Sequence, residues 1–308
     1  MNSRSQSQAV AGINPIVRLV ESEAVTAYVL LIPTLIGLVF FTIGPVIAAF
    51  AISFTRWDLT SPPDWVGLGN YNAMVALDPL SRVSFVNTLY YVVGTVPSGV
   101  VIALFIAIAM NQKVRGIVFY RTVYFLPVIS STVAISLIWE WLYEPQYGIF
   151  NYLLSFVGVA PIRWLSDPST AMPAIMILSV WRGLGFNMII FLAGLQAVPQ
   201  ELYEAAKIDG AGAVDRFRAV TVPMLSPTIF FVTVLSIISS FQVFDQTYVM
   251  TQGGPVNATT TIVFYIFRQA FQWFHMGYAA ALGYVLFAVI LAFTLLQFRL
   301  QRTWVHYE

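Results

Sequence analysis

Residues Tyr28–Phe54 read YVLLIPTLIGLVFFTIGPVIAAFAISF, and no Asp, Glu, Lys or Arg interrupts the run. About 20 predominantly apolar residues cross the ~30 Å of hydrocarbon in a bilayer, so a helix of this length spans it. The run is too long for the apolar core of a cleaved leader, follows a polar 27-residue stretch and meets no small-residue cleavage site, so a retained span is expected. Working outward, five more stretches qualify: Val86–Met110, Thr122–Leu142, Ala171–Leu192, Thr228–Val249 and Tyr278–Phe298. Gly148–Val159 and Ile262–Phe274 are apolar but too short to span, and read as interfacial or re-entrant helices. The expected fold is an all-α membrane protein, a six-span bundle filling 28–298 between an N-terminal segment 1–27 and a tail 299–308.

Composition agrees. Of 308 residues, 58% are hydrophobic and 9% charged, where a soluble domain carries about a quarter of its residues charged. A net charge of +1 offers no basic surface for nucleic acid. The absence of Cys excludes disulfides, thiol catalysis and thiolate metal sites, and two His (His275 and His306) cannot build an imidazole-rich centre.

Lys and Arg set the expected orientation. The N-terminus, second and fourth connections and C-terminus collect Arg4, Arg18, Lys113, Arg115, Arg121, Lys207, Arg216, Arg218, Arg299 and Arg302. The opposite side holds Arg56, Arg82, Arg163 and Arg268, so both termini are expected in the cytoplasm. Trp57, Trp65, Trp164 and Trp273 fall near span ends on the outer side, as interfacial aromatics do. Pro45, Pro97 and Pro127 are expected to interrupt three spans, since proline removes a backbone donor and kinks a helix.

The fourth connection reads GLQAVPQELYEAAKIDGAGAVDRFRAVTVPMLSPT from Gly194. Pro199 suits a helix start, with Gln200 and Glu201 in the first turn. Leu202, Ala205, Ala206 and Ile208 form an apolar stripe, and Gly210 and Gly212 end the helix. A second short helix, Ala213–Val220, leads to Pro223, where the fifth span is expected to begin. The pattern is two short helices with a glycine corner at the cytoplasmic surface, fit either to float among headgroups or to dock a partner.

Glu204-Ala205-Ala206, three residues, Gly210, nine residues, then Val220-x-Val222-Pro223 resembles the EAA loop of permeases in binding-protein-dependent ABC importers; Val stands where that pattern has Ile and Leu. The surrounding run, and Phe244-Asp245 through Tyr248-Val249-Met250-Thr251-Gln252-Gly253-Gly254-Pro255, is similar to the carbohydrate branch, the maltose and glycerol-phosphate permease type. The resemblance covers Tyr28 to Phe298. It implies a type I importer in which Glu204, Ala205, Ala206, Gly210 and Pro223 couple to an ATPase. It implies a second related permease (a heterodimer), two ATPase subunits, an extracytoplasmic solute-binding protein and a carbohydrate substrate, in a bacterial or archaeal plasma membrane. This chain itself has no Walker A pattern; no cofactor is expected on it, and ATP and Mg belong to the partner ATPase.

Polar groups inside spans are functional candidates. Glu140 near the outer end of the third span reads as an interfacial carboxylate or a functional one. Arg182 pairs with another span, reaches the interface or lines a water-filled path. Asn187, Gln242, Asp245 and Gln246 suit sugar hydroxyls or hydrogen bonds between spans, with Trp139, Phe241, Phe244 and Tyr248 as neighbouring aromatics. The i, i+3, i+4 spacing of Gln242, Asp245 and Gln246 predicts one helical face. An ion-coupled transporter would show inverted repeats and more intramembrane carboxylates, and an intramembrane enzyme a catalytic set; neither is visible.

Overall fold

The computed structural model describes residues 23–112 and 115–305. Arg4, Arg18, Lys113 and His306 lie outside them. Among the described residues, five helices are long and apolar enough to cross a membrane, and six if one sharply bent pair counts as a single span.

The first apolar run is α1 (Glu23–Leu38), a π-helical turn at Val39–Ile43, and α2 (Gly44–Ile52). Pro45 does not interrupt it. The π turn closes on Gly44 N–H to Val39 C=O, which leaves room for the proline ring in the next turn. None of the most apolar window of Thr26–Ile52 is buried. Its contact with the bundle is at one end, where Tyr284 Oη donates to Val46 O and Phe50 packs on the Tyr284 ring at 4.9 Å.

A small departure from an all-helical chain follows: β1 (Thr55–Arg56) pairs antiparallel with β2 (Asp64–Trp65). After α3 (Gly69–Ala76) comes the central rod, α4 (Pro79–Met110), which begins seven residues before the expected start and runs unbroken through Pro97. Asp78 explains the start. Its carboxylate accepts from Leu80 N (3.0 Å) and Ser81 N (3.2 Å), and Pro79, which needs no partner, takes the first turn.

The third span is broken. α5 (Ile117–Ile129) and α6 (Thr132–Leu142) meet at 102°. The break lies at Ser130–Ser131, after Pro127 rather than at it. Both serines are extended, and Ser130 Oγ donates to Leu126 O (2.9 Å), satisfying a carbonyl the ending helix leaves open. After α7 (Ile149–Ser155), α8 (Pro168–Ala197) packs along α4. Fully buried Ala103 and Ala107 let the rods approach, and Met188, Phe191 and Leu225 fill the seam. Gly185 sits against the backbone of Tyr124 on α5, where a Cβ would strike a carbonyl.

The next elements are α9 (Gln200–Ile208), α10 (Ala213–Arg216), a π turn at Phe217–Thr221, and α11 (Val222–Phe241). α10 therefore runs into the fifth span as one rod, without the separate helix to Val220 that the sequence suggested. Pro223 repeats the arrangement at Pro45, because Val222 N–H reaches Phe217 C=O and the proline falls just beyond the π turn. The rod ends at Phe241. A second short helix, α12 (Asp245–Met250), follows a three-residue break, then α13 (Ile262–Phe267) with its π turn at Arg268–Gln272, and α14 (Met276–Gln301).

Candidate functional site

Two helix breaks, at Ser130–Ser131 and Gln242–Phe244, face a cavity of about 390 Å³ between α4, α5, α6, α8, α11 and α12. At the second break, Gln242 N–H and Val243 N–H turn back to Ser239 O (3.2 Å) and Ser240 O (3.3 Å), and Phe244 leaves helical geometry at φ −141°. Thr261 Oγ1 donates to the freed Val243 O at 3.1 Å. Gln242, Asp245 and Gln246 thus do not share a helical face: the first ends α11 and the others open α12. All three still line the cavity. Broken helices at membrane depth are tolerated where backbone lines a cavity or is satisfied by protein.

Arg182 and Asn187 on α8 line the same cavity. Asn187 Nδ2 meets Ser236 Oγ at 3.4 Å, and Arg182 Nε is buried without a hydrogen-bond partner. The sequence reading missed the hydroxyl wall opposite. Tyr91 and Thr95 on α4 and Ser236, Ser239 and Ser240 on α11 line the space, with Thr95 Oγ1 and Ser240 Oγ 3.4 Å apart. Their i, i+3 and i+4 spacings were the available signal. Tyr248 is not part of the lining; it stacks on Phe244 at 5.3 Å and packs against Phe267. Trp139 and Phe241 are buried, Trp139 among Tyr143, Phe150 and Trp181, so neither offers a ring to a solute; Phe244 does line the cavity. Glu140 lies near the end of α6, half-buried and outside the lining.

The motif from Phe244 to Pro255 has a structural task. Its continuation folds back so that Thr259, Thr260 and Thr261 are fully buried, with Thr259 Oγ1 donating to Gly254 O (2.7 Å) and Thr260 Oγ1 to Gly253 O (3.1 Å). Asn87 Nδ2 donates to Asn257 O and Thr260 O, and Thr88 Oγ1 accepts from Ile262 N (2.9 Å), fastening this loop to α4. Close by, Asp78 Oδ2 accepts from Tyr265 Oη (2.6 Å) and Tyr278 Oη (2.5 Å). Burial, then the bond and charge of Asp78, hold the Tyr265 hydroxyl above its ordinary range, so it stays a donor. The sequence reading missed this junction, although Asp-Pro before an apolar run is a helix-start signal.

At the other end of the bundle, Pro199 caps α9 and Gly210 ends it with φ +79°. Gly210 N–H reaches Lys207 O (3.0 Å) and Ala211 N–H reaches Ala206 O (2.9 Å), closing the helix in a left-handed turn. Asp215 Oδ2 accepts from Gly212 N (3.1 Å), and Tyr203 Oη lies 3.1 Å from Thr221 Oγ1, tying α9 to the base of the fifth span. Glu204 and Ala205 are exposed, Ala206 is half-buried, and Ile208 is 86% exposed. α9 buries none of its residues, so its apolar stripe stands open.

Apolar rods, two of them broken around a polar cavity, and an amphipathic elbow held off one end define a multi-pass membrane transport subunit. The chain belongs to the family of binding-protein-dependent transport system inner membrane components, whose profile matches residues 85–305. It is similar to the probable ABC transporter permease protein YesP of Bacillus subtilis, 38% identical over 94% of this chain and 95% of that one. The trehalose/maltose transport system permease protein MalF of Thermococcus litoralis is 35% identical over 91% of this chain and 95% of its own length. A solved bacterial ABC transporter involved in the import of alginate has the same fold, with a TM-score of 0.79 at 23% identity over 94% of this chain and 99% of that chain. The chain is a permease subunit of an ABC importer, and ATP hydrolysis belongs to separate subunits.

Proposed function

We propose that this permease carries a sugar or sugar-like solute across the bacterial or archaeal inner membrane through the cavity between its two broken spans. The observation that carries this reading is the lining. Hydroxyls of Thr95, Ser236, Ser239 and Ser240, amides of Asn187, Gln242 and Gln246, and the opposite charges Arg182 and Asp245 surround about 390 Å³. Such a wall offers donors and acceptors for many hydroxyls, its formal charges cancel, and its size lies within the range of small-ligand sites. The names of relatives support the substrate class: trehalose/maltose, arabinooligosaccharides and lactose are what those permeases are named for.

The elbow end is cytoplasmic in this reading, with both termini on that side. α9 docks into one of two ATPase subunits through Glu204, Ala205 and Ala206, with Gly210 setting the corner and Pro223 following the π turn that joins elbow to span. A second, related permease completes the membrane unit, and an extracytoplasmic solute-binding protein meets the opposite end, where β1 and β2 pair. ATP and Mg act in the partner ATPase.

The test is uptake by proteoliposomes holding the two permeases and the ATPase subunits, with binding protein and labelled oligosaccharides outside and ATP inside. Uptake that requires ATP and withstands an uncoupler supports the proposal. Uptake driven by an ion gradient without ATP, or no uptake of any saccharide tried, refutes it.

A further inference from the structure

Arg182 and Asp245 are the only Asp, Glu, Lys, Arg or His side chains in the cavity lining among the described residues. They come from different elements, α8 and the first residue of α12. Arg182 keeps a buried Nε without a hydrogen-bond partner, and leaving a buried charged donor unmatched is costly. Asp245 is exposed on the cavity side. It stands directly after the three-residue break, where Gln242 and Phe244 have left helical geometry. At such a break a few backbone angles set where the carboxylate points.

We propose that Arg182 and Asp245 form a charge pair that closes across the cavity when it collapses and separates to admit the solute. This rests on the cavity being the solute path. The pair matches the lone cation in the closed state, and in the open state the solute's hydroxyls and water take over the same donors and acceptor. The two residues are therefore positioning residues for the transport cycle, and their contribution lies in each other's charge.

A charge swap in the reconstituted complex tests this, with co-purification of all subunits confirming assembly. Arg182→Asp and Asp245→Arg each lower ATP-driven uptake about tenfold or more and raise solute-independent ATP hydrolysis, while the double swap brings uptake back to within about threefold of wild type. Arg182→Lys, which keeps the charge, retains most uptake. Arg182→Cys with Asp245→Cys, in a chain without native Cys, supplies a readout that does not depend on transport. A short bifunctional maleimide bridges the two thiols at least about fivefold faster in one nucleotide state of the ATPase than in the other.

Loss of uptake in both single variants with no rescue by the swap overturns the pair and leaves the cavity on the path. Equal bridging in all nucleotide states also overturns it. Normal uptake in both single variants overturns the pair together with the reading of the cavity.

Discussion

Replacing Asp78 by Ala removes one carboxylate from four donors on three elements. Oδ1 accepts from Leu80 N and Ser81 N at the start of α4, and Oδ2 from Tyr265 Oη near the end of α13 and Tyr278 Oη in the first turn of α14. Loss of a helix cap costs about 1 kcal/mol. Hydrogen bonds to a charged group contribute about 1.5–3 kcal/mol each, and Tyr265, only 2% exposed, has little water to turn to. The effects share one group and are not additive, so Asp78→Ala is expected to destabilise the permease by about 3–5 kcal/mol. Asp78→Asn keeps a capping oxygen and one contact to a tyrosine, and should cost about 1–2 kcal/mol. Thermal unfolding of the purified permease in lipid nanodiscs, followed by tryptophan fluorescence, orders the variants. Combining Asp78→Ala with Tyr265→Phe should cost clearly less than the sum of the two changes. An Asp78→Ala protein as stable as wild type, or strict additivity in the double variant, would refute the junction.

Gly210 sits at φ +79° with nothing within 4 Å of a Cβ built there, so substitutions feel backbone strain alone, about 1–2 kcal/mol for a side chain in the left-handed region. Solute-stimulated ATPase activity should therefore fall in the order Asn, Ala, Val, because Asn tolerates that conformation and a β-branched residue does not; equal activity of all three contradicts it. Ala206→Trp and Glu204→Lys should also lose stimulation, with Ala206→Trp releasing the ATPase on co-purification; full stimulation in both would make α9 a passive connector. Thiols at Ser61→Cys, Ser155→Cys and Val256→Cys, all at exposed positions, should react with an impermeant maleimide from outside the cell, whereas Ile208→Cys should not; the reverse pattern inverts the topology. The loop held by Asp58, which accepts from Thr60 N, Ser61 N and Ser61 Oγ, has its carboxyl lowered to about 2, first by the Ser61 bonds. A depressed carboxyl contributes above its unfolded value and loses that contribution as pH falls through the folded one. Amide exchange at Ser61 should thus stay protected at pH 4 and open only toward pH 2.

The rods were legible because lipid leaves one solution for a backbone, and a long apolar run states it directly. The elbow was legible because Pro199 and Gly210 bracket an amphipathic stretch. The breaks were harder. Pro127 and Pro45 drew attention to themselves, yet the helices pass both, one by a π turn; the actual break is made by Ser130, whose hydroxyl takes the Leu126 carbonyl. Gln242, Asp245 and Gln246 had helical spacing and reached one cavity through a break instead. Asn151 shows the same limit. It lies in a short apolar stretch, yet its amide meets Pro145 O, Ile162 O, Ile162 N and Trp164 Nε1, and it is buried. Junctions of this kind depend on partners 6 to 13 residues away or, at Asp78, nearly 200, and periodicity carries no record of them.

Thiol chemistry at Asn187 tests most directly whether the cavity is the solute path. In the assembled transporter, Asn187→Cys should react with a small water-soluble maleimide, and solute-loaded binding protein with a non-hydrolysable ATP analogue should slow that reaction at least about fivefold by filling the cavity. A thiol that is inert in every nucleotide state, or that reacts at one rate with and without solute, would place the path elsewhere.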